Sequence, residues 1–146
     1  EPSPVVPVIY VSLQPGKMSP GIPGLTGAMR YAESPWLDHA INDLGTNPTG
    51  WKRVWCARSM TLWLQKSGKR GCPTDAAISC LEAGRRLPGP RIGAIAVLKH
   101  HVGIVKEIHD RHVVLVSGNN RGRPGARKVG ISRYARASIV GYVWPE

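Results

Sequence analysis

The chain has 146 residues, the size of one ordinary domain with a single core, and because phenylalanine is absent that core has to be built from Val, Ile, Leu and five tryptophans. Twenty Lys and Arg against nine Asp and Glu give a net charge of +11, which points to an anionic neighbour such as nucleic acid, anionic lipid or anionic cell-wall polymer without choosing among them. The longest apolar stretch, Val5 to Val11, is broken by Pro7 and is too short to span a bilayer.

Residues 1–34 hold six of the 13 prolines, and Pro15-Gly16, Pro20-Gly21 and Pro23-Gly24 mark successive turns. This stretch reads as a Pro/Gly-rich arm or linker, with Val8 to Leu13 either pairing as an edge strand or remaining unstructured. The start at Glu1, with no initiator Met and no signal-like apolar run, fits a mature secreted protein trimmed of its leader or a shortened piece. A secreted or periplasmic location is the expectation.

A folded unit is expected over 35–146. Ser34 is placed to cap a helix, Pro35 suits its first position, and Trp36, Leu37, Ala40, Ile41 and Leu44 follow at helical spacing up to Gly45. Asn47-Pro48-Thr49-Gly50 is a loop. The next helix spans about Trp55 to Ser67, with Cys56, Met60 and Trp63 on one face and Gly68 as its stop. A third helix is signalled by Thr74 as cap, with Ala76, Ala77, Cys80 and Leu81 as its apolar set and Gly84 as terminator. The period then changes: Ile92 to Leu98, His101 to Lys106, Val113 to Ser117 and Ser138 to Trp144 are short β-branched runs that read as antiparallel strands. Helices followed by strands predict an α+β fold, N-terminal helices packed on an antiparallel sheet.

Cys56 falls in the first turn of its helix, where the helix dipole favours a thiolate. Glu107 to Arg111 separates two strand-like runs, so a hairpin is expected. A three-residue turn at His109 to Arg111 sets residue 101 opposite residue 119, and a register two residues away sets it opposite 117. Side chains alternate with period two, so Ser117 and Asn119 share a face with His101 in either case. His100 points the other way. An imidazole works as a base when a second group fixes its ring, and Asn119 is the expected orienter. The order Cys56, His101, Asn119 then supports acyl transfer: the thiolate attacks an amide carbonyl, His101 protonates the leaving amine, and Asn119 holds the ring.

With those residues in place, the chain resembles the papain-like cell-wall hydrolases of the NlpC and CHAP type over roughly Trp36 to Pro145. The anchors are Pro35-Trp36-Leu37, Trp55-Cys56-Ala57, His101-Val102-Gly103-Ile104-Val105, Ser117-Gly118-Asn119-Asn120 and Gly141-Tyr142-Val143-Trp144-Pro145. The resemblance implies an amidase or endopeptidase acting on peptidoglycan stem peptides, with Cys56 as nucleophile, His101 as base, Asn119 as third member and no cofactor. His100 stands where the family often has Gly, and Gly93-Ala94 where a Gly-Asp usually opens the preceding strand. Both departures bear on the substrate and leave the three residues in place.

Three cysteines leave at least one thiol unpaired, and Cys56 is the candidate. Cys72 and Cys80 either remain two buried thiols or pair. A helix from Asp75 would carry Cys80 about 8 Å along its axis, so pairing, which needs Cα atoms within about 7 Å, requires the chain before Thr74 to fold back. Arg121, Arg123, Arg127, Lys128, Arg133 and Arg136 fall in a Gly- and Pro-containing stretch read as a basic loop, beside a cleft or solvated. A zinc site from Cys56 and the five histidines has no recognisable ligand spacing, and His109 and His112 read as surface residues. Two alternatives to the hydrolase stay open: a catalytically idle basic module holding anionic cell wall, and a nucleic-acid-binding protein. Only Tyr134 interleaves the basic residues, which gives no stacking platform for single strands.

Overall fold

The structure, a computed structural model, describes residues 33–123 and 125–146, so the arm expected over 1–34 and its Val8 to Leu13 strand lie outside the described residues except for Glu33 and Ser34. Two α-helices come first, α1 (Pro35–Asn42) and α2 (Cys56–Lys66), then a 3₁₀ helix over Ala77–Glu82. Six strands complete the fold: β1 (Gly84–Leu87), β2 (Ile95–Val97), β3 (Val102–Ile108), β4 (His112–Arg121), β5 (Lys128–Ala135) and β6 (Gly141–Pro145), with a 3₁₀ turn over Arg136–Ser138. They form one antiparallel sheet in the order β1-β6-β2-β3-β4-β5. The class is α+β, as the element order predicts. No helix among the described residues is long and apolar enough to cross a membrane.

Helix α1 starts where expected, with Pro35 in its first turn. Ser34 makes no side-chain cap bond, because it is packed against Gly93, where an added Cβ would fall 2.6 Å from the Ser34 Cβ. Trp36, Leu37 and Ala40 turn inward with Ala57, Met60, Trp63 and Leu64 of α2 against Ile95, Val97, Val102, Ile104, Val116 and Val143 on one face of the sheet. The Trp36 indole donates to the Gly93 carbonyl at 2.6 Å and the Trp63 indole to the Asp43 carboxylate at 2.8 Å, so these two large core side chains are also satisfied. The other sheet face carries a smaller cluster of Ala94, Ala96, Val105, Val113, Leu115 and Tyr142. Strict alternation along β2 and β3 therefore buries both faces, which is why these strands read as nearly continuous apolar runs.

Three elements differ from the sequence reading. The third helix is the 3₁₀ helix over Ala77–Glu82: Thr74 bends the chain instead, its Oγ1 accepting from the Ala76 N–H at 3.1 Å, and Cys72 and Cys80 are disulfide-bonded with Cα atoms 4.5 Å apart. The fold-back before Thr74 that pairing demanded is thus present, and Cys56 is the free thiol. Gly84 opens a strand rather than ending a helix, lying opposite Pro145 so closely to the β6 backbone that no side chain fits. Part of the basic stretch is strand β5, in which Val129 and Gly130 are buried and Ile131 is half-buried while Lys128 and Arg133 stay exposed, on an edge of the sheet.

Candidate active site

The loop before α2 is pinned at both ends. Gly45 donates to the Val129 carbonyl at 3.0 Å and Val129 returns a bond to Thr46 at 2.8 Å, tying the loop to β5. Asn47 then closes an Asx turn, its Oδ1 accepting from Thr49 and Gly50 while its Nδ2 donates to the Trp51 carbonyl at 2.6 Å. These bonds fix Lys52, Arg53 and Val54 on the surface immediately before Trp55 and Cys56, both of which are buried. On the opposite side, β4 presses on the helix start at Gly118, where an added Cβ would lie 2.6 Å from the Trp55 ring and against the Ser59 hydroxyl.

His101 comes from the sheet. Leu98 donates to the His101 carbonyl at 2.8 Å, which closes a tight β2–β3 turn on Lys99 and His100 and leaves His101 at the mouth of β3. His100 is therefore an exposed turn residue. The β3–β4 register pairs Ile104 with Val116 and, continued outward, sets residue 101 opposite 119. That is the first of the two expected registers, reached by another route: the turn holds only Asp110 and Arg111, the His109 N–H donating to the His112 carbonyl at 2.9 Å, and a bulge between Val105 and Glu107 supplies the extra residue.

The imidazole's partner is Ser117, not the expected Asn119. His101 Nε2 and Ser117 Oγ are 2.8 Å apart, and Ser117 is fully buried. Asn120 donates from Nδ2 to the same hydroxyl at 2.7 Å and accepts from Ser132 at 2.9 Å, while the Tyr134 ring stacks on His101 at 5.5 Å. Asn119 leaves the ladder for a physical reason. Between the pairs Ser117↔Gly130 and Arg121↔Lys128, β4 advances four residues while β5 advances two, so β4 bulges and Asn119 takes a left-handed conformation with φ 53°. Its side chain lines an open pocket of about 430 Å³, together with Lys52, Arg53, Val54, His100, His101, Gly125 and Arg127.

Cys56 and His101 meet through the backbone. The Val102 N–H, immediately after His101 and beyond the described β3–β4 pairs, is directed at the Cys56 sulfur, as are the N–H groups of Ala57 and of Cys56 itself at the helix start. All three favour the thiolate. Burial outweighs them and holds the thiol pKa above its ordinary value, so the helix start alone does not ionise it, contrary to the expectation from the dipole. Burial, reinforced by the Arg127 charge, pushes His101 down to about 4. At neutral pH the Cys56 thiol and the His101 imidazole both rest neutral. Among the described residues no group of three or more His, Cys, Asp or Glu converges to hold a metal.

Sequence reasoning missed Ser117 and Asn120 as the network behind the histidine. Ser117 was placed on the correct face; what the sequence hides is the bulge that turns Asn119 outward, although Gly118 beside two asparagines is a turn-prone signal.

No family model matches the chain, and no curated protein does. A solved structure, the crystal structure of a wild-type endolysin, LysIME-EF1, shares the fold with TM-score 0.56 at 17% identity, over 75% of this chain and 62% of the endolysin chain. The chain thus spans less than two thirds of that protein.

Proposed function

We propose that the chain is a cysteine-dependent hydrolase that cleaves amide bonds in bacterial peptidoglycan, as amidase or endopeptidase. The observation that carries this reading is the junction of Cys56 at the first turn of α2 with the mouth of β3, where the Val102 N–H reaches the sulfur and the His101 ring is held by Ser117. The fold shared with an endolysin, a class of cell-wall hydrolase, supports the substrate. The NlpC/CHAP resemblance supports the thiol chemistry.

With Nε2 engaged by Ser117, Nδ1 remains to exchange a proton with the thiol. His101 takes that proton as the sulfur attacks the carbonyl carbon, then delivers it to the leaving amine as the C–N bond breaks. The thioester is hydrolysed by water activated on the same ring. The N–H groups of Cys56 and Val102, already at the sulfur, are the main-chain donors at hand for the oxyanion, and one such donor is worth about 3 kcal/mol to the transition state. A neutral resting pair suits this sequence, because the proton moves only as the nucleophile attacks. Asn119 faces the substrate pocket in this scheme. The Cys72–Cys80 disulfide supports a secreted or periplasmic location.

A second reading, a catalytically idle module that holds anionic wall polymer, is favoured by the 1% exposure of Cys56. Incubating the chain and its Cys56→Ala variant with purified peptidoglycan separates the two. New amine termini, detected by mass spectrometry and made only by the parent, are the expected result and identify the bond. Absence of products from protein that still sediments with the wall would establish the idle module.

A further inference from the structure

The pocket beside His101 is lined by Lys52, Arg53, Arg127 and His100, with Asn119 and Val54 completing the polar and apolar parts of its wall, and no carboxylate of the described residues lines it. The ion pairs formed among the described residues lie elsewhere: Arg58–Asp75, Arg85–Glu146, Arg91–Glu33, and Glu107 with Lys106 and His109. Arg91 and Arg58 additionally sit over Trp144 and Trp51, at 3.8 and 3.6 Å from the ring centroids, whereas Lys52, Arg53 and Arg127 have no acidic partner among the described residues. Three full positive charges are therefore held around one concavity by two separately anchored segments, the loop before α2 and the segment leading into β5. Arg127 lines the same pocket as His101 and is close enough to act electrostatically on its ring.

We propose that Lys52, Arg53 and Arg127 form a carboxylate-binding subsite that selects amides flanked by a free carboxylate on the peptide substrate. This deepens the hydrolase reading and rests on it for the identity of the substrate. Guanidinium groups match a carboxylate in bidentate geometry, and a charge-assisted bond to the anion discriminates acid from amide. The subsite distinguishes two chemically similar wall peptides, one with free carboxylates and one in which they are carboxamides. General attraction of a basic protein to a polyanion would not.

The test measures binding, so that it does not depend on turnover. Cys56→Ala protein is titrated calorimetrically with a synthetic stem tetrapeptide carrying free carboxylates and with the same peptide converted to carboxamides. The acid form is expected to bind at least about tenfold tighter. Arg127→Gln and the double change Lys52→Gln with Arg53→Gln should each erase most of that preference, while Arg111→Gln, an equal loss of charge at the exposed β3–β4 turn, should keep it. Equal binding of the two peptides overturns the subsite, as does a preference that survives in Arg127→Gln. Tighter binding of a glycerol phosphate oligomer through the same three residues also overturns it in favour of a phosphate site. Thiol-dependent wall cleavage without any acid preference would remove the subsite and leave the hydrolase standing; acid preference without cleavage would do the reverse.

Discussion

Replacing Ser117 by alanine removes a buried hydroxyl that two half-buried side chains share. His101 Nε2 lies 2.8 Å from it and Asn120 Nδ2 donates to it at 2.7 Å. With Asn120 donating, the hydroxyl keeps one lone pair and one proton and can bind either ring tautomer; the proposed proton transfer to Nδ1 requires that it accept from Nε2–H. Alanine leaves Nε2 without a partner, at about 1–3 kcal/mol for an unsatisfied buried polar group. Asn120 loses less, since its Nδ2 still reaches the Tyr134 hydroxyl at 3.5 Å and its Oδ1 still accepts from Ser132 at 2.9 Å. The sum is about 2–3 kcal/mol of stability, read as a lower urea midpoint at unchanged slope. The more telling readout is the ring itself: nitrogen NMR of the imidazole should show a single Nε2–H form in the parent and a mixture in the variant. Turnover of peptidoglycan should fall by part of the roughly 10²- to 10⁴-fold that general acid–base catalysis supplies. Asn119→Ala, at the pocket wall, should leave midpoint and tautomer unchanged. A variant lacking Asn119 that loses the tautomer, beside a Ser117→Ala variant that keeps it, would refute the assignment and restore Asn119 as the orienter.

Acid sensitivity is the next expectation. His101 titrates near 4 in the folded chain and near 6.5 when unfolded, so between those values the unfolded chain binds a proton that the folded one refuses. Stability is complete above pH 6.5 and declines as pH falls toward 4, by at most about 3 kcal/mol; urea melts across this window should show that slope, and His101→Gln should flatten it. Reducing Cys72–Cys80, which are eight residues apart, should cost about 2.5 kcal/mol by loop entropy, measured as a drop in urea midpoint with Cys56→Ala as the background. Gly118→Ala would place a methyl 2.6 Å from the Trp55 ring; overpacking of about 1–3 kcal/mol is expected, and because the displaced segment carries Cys56, iodoacetamide should label the variant faster than the parent. Unchanged melting and labelling would mean that β4 does not press on the helix start.

The helices and the face of the site were legible for the same reason: apolar spacing and alternation are properties of single residues in order. Trp36, Leu37 and Ala40 recur at helical intervals and are buried, and the period of two put His101, Ser117 and Asn119 on one face. What alternation cannot encode is an insertion. The bulge at Val105/Glu107 and the longer one after Ser117 each alter local counting, and the second moves Asn119 out of the ladder and brings Asn120 in behind Ser117. Strands β1 and β5 were missed for a different cause. Gly84-Arg85-Arg86-Leu87 has almost no apolar signal, because edge strands expose half their backbone and carry charge where central strands carry Val and Ile.

The basic stretch joins these two failures in one segment. Read as composition, Arg121 to Arg136 is a loop; read in steps of two, Val129 and Ile131 point to the core and Lys128, Gly130 and Ser132 do not. Strand β5 is therefore a structural wall of the site, since Ser132 and Tyr134 back Asn120 and His101, while Arg127, one residue before it, is carried to the pocket. The same eight or nine residues thus hold the imidazole from behind and place a cation in front of it. A substitution that loosens β5, such as Val129→Ala in the core, should weaken both functions together, whereas Arg127→Gln should alter substrate choice and leave the ring bonded to Ser117. Parallel measurement of the His101 tautomer and of peptide binding in these two variants decides whether the wall and the charge are separable; loss of the tautomer in Arg127→Gln would show that they are not.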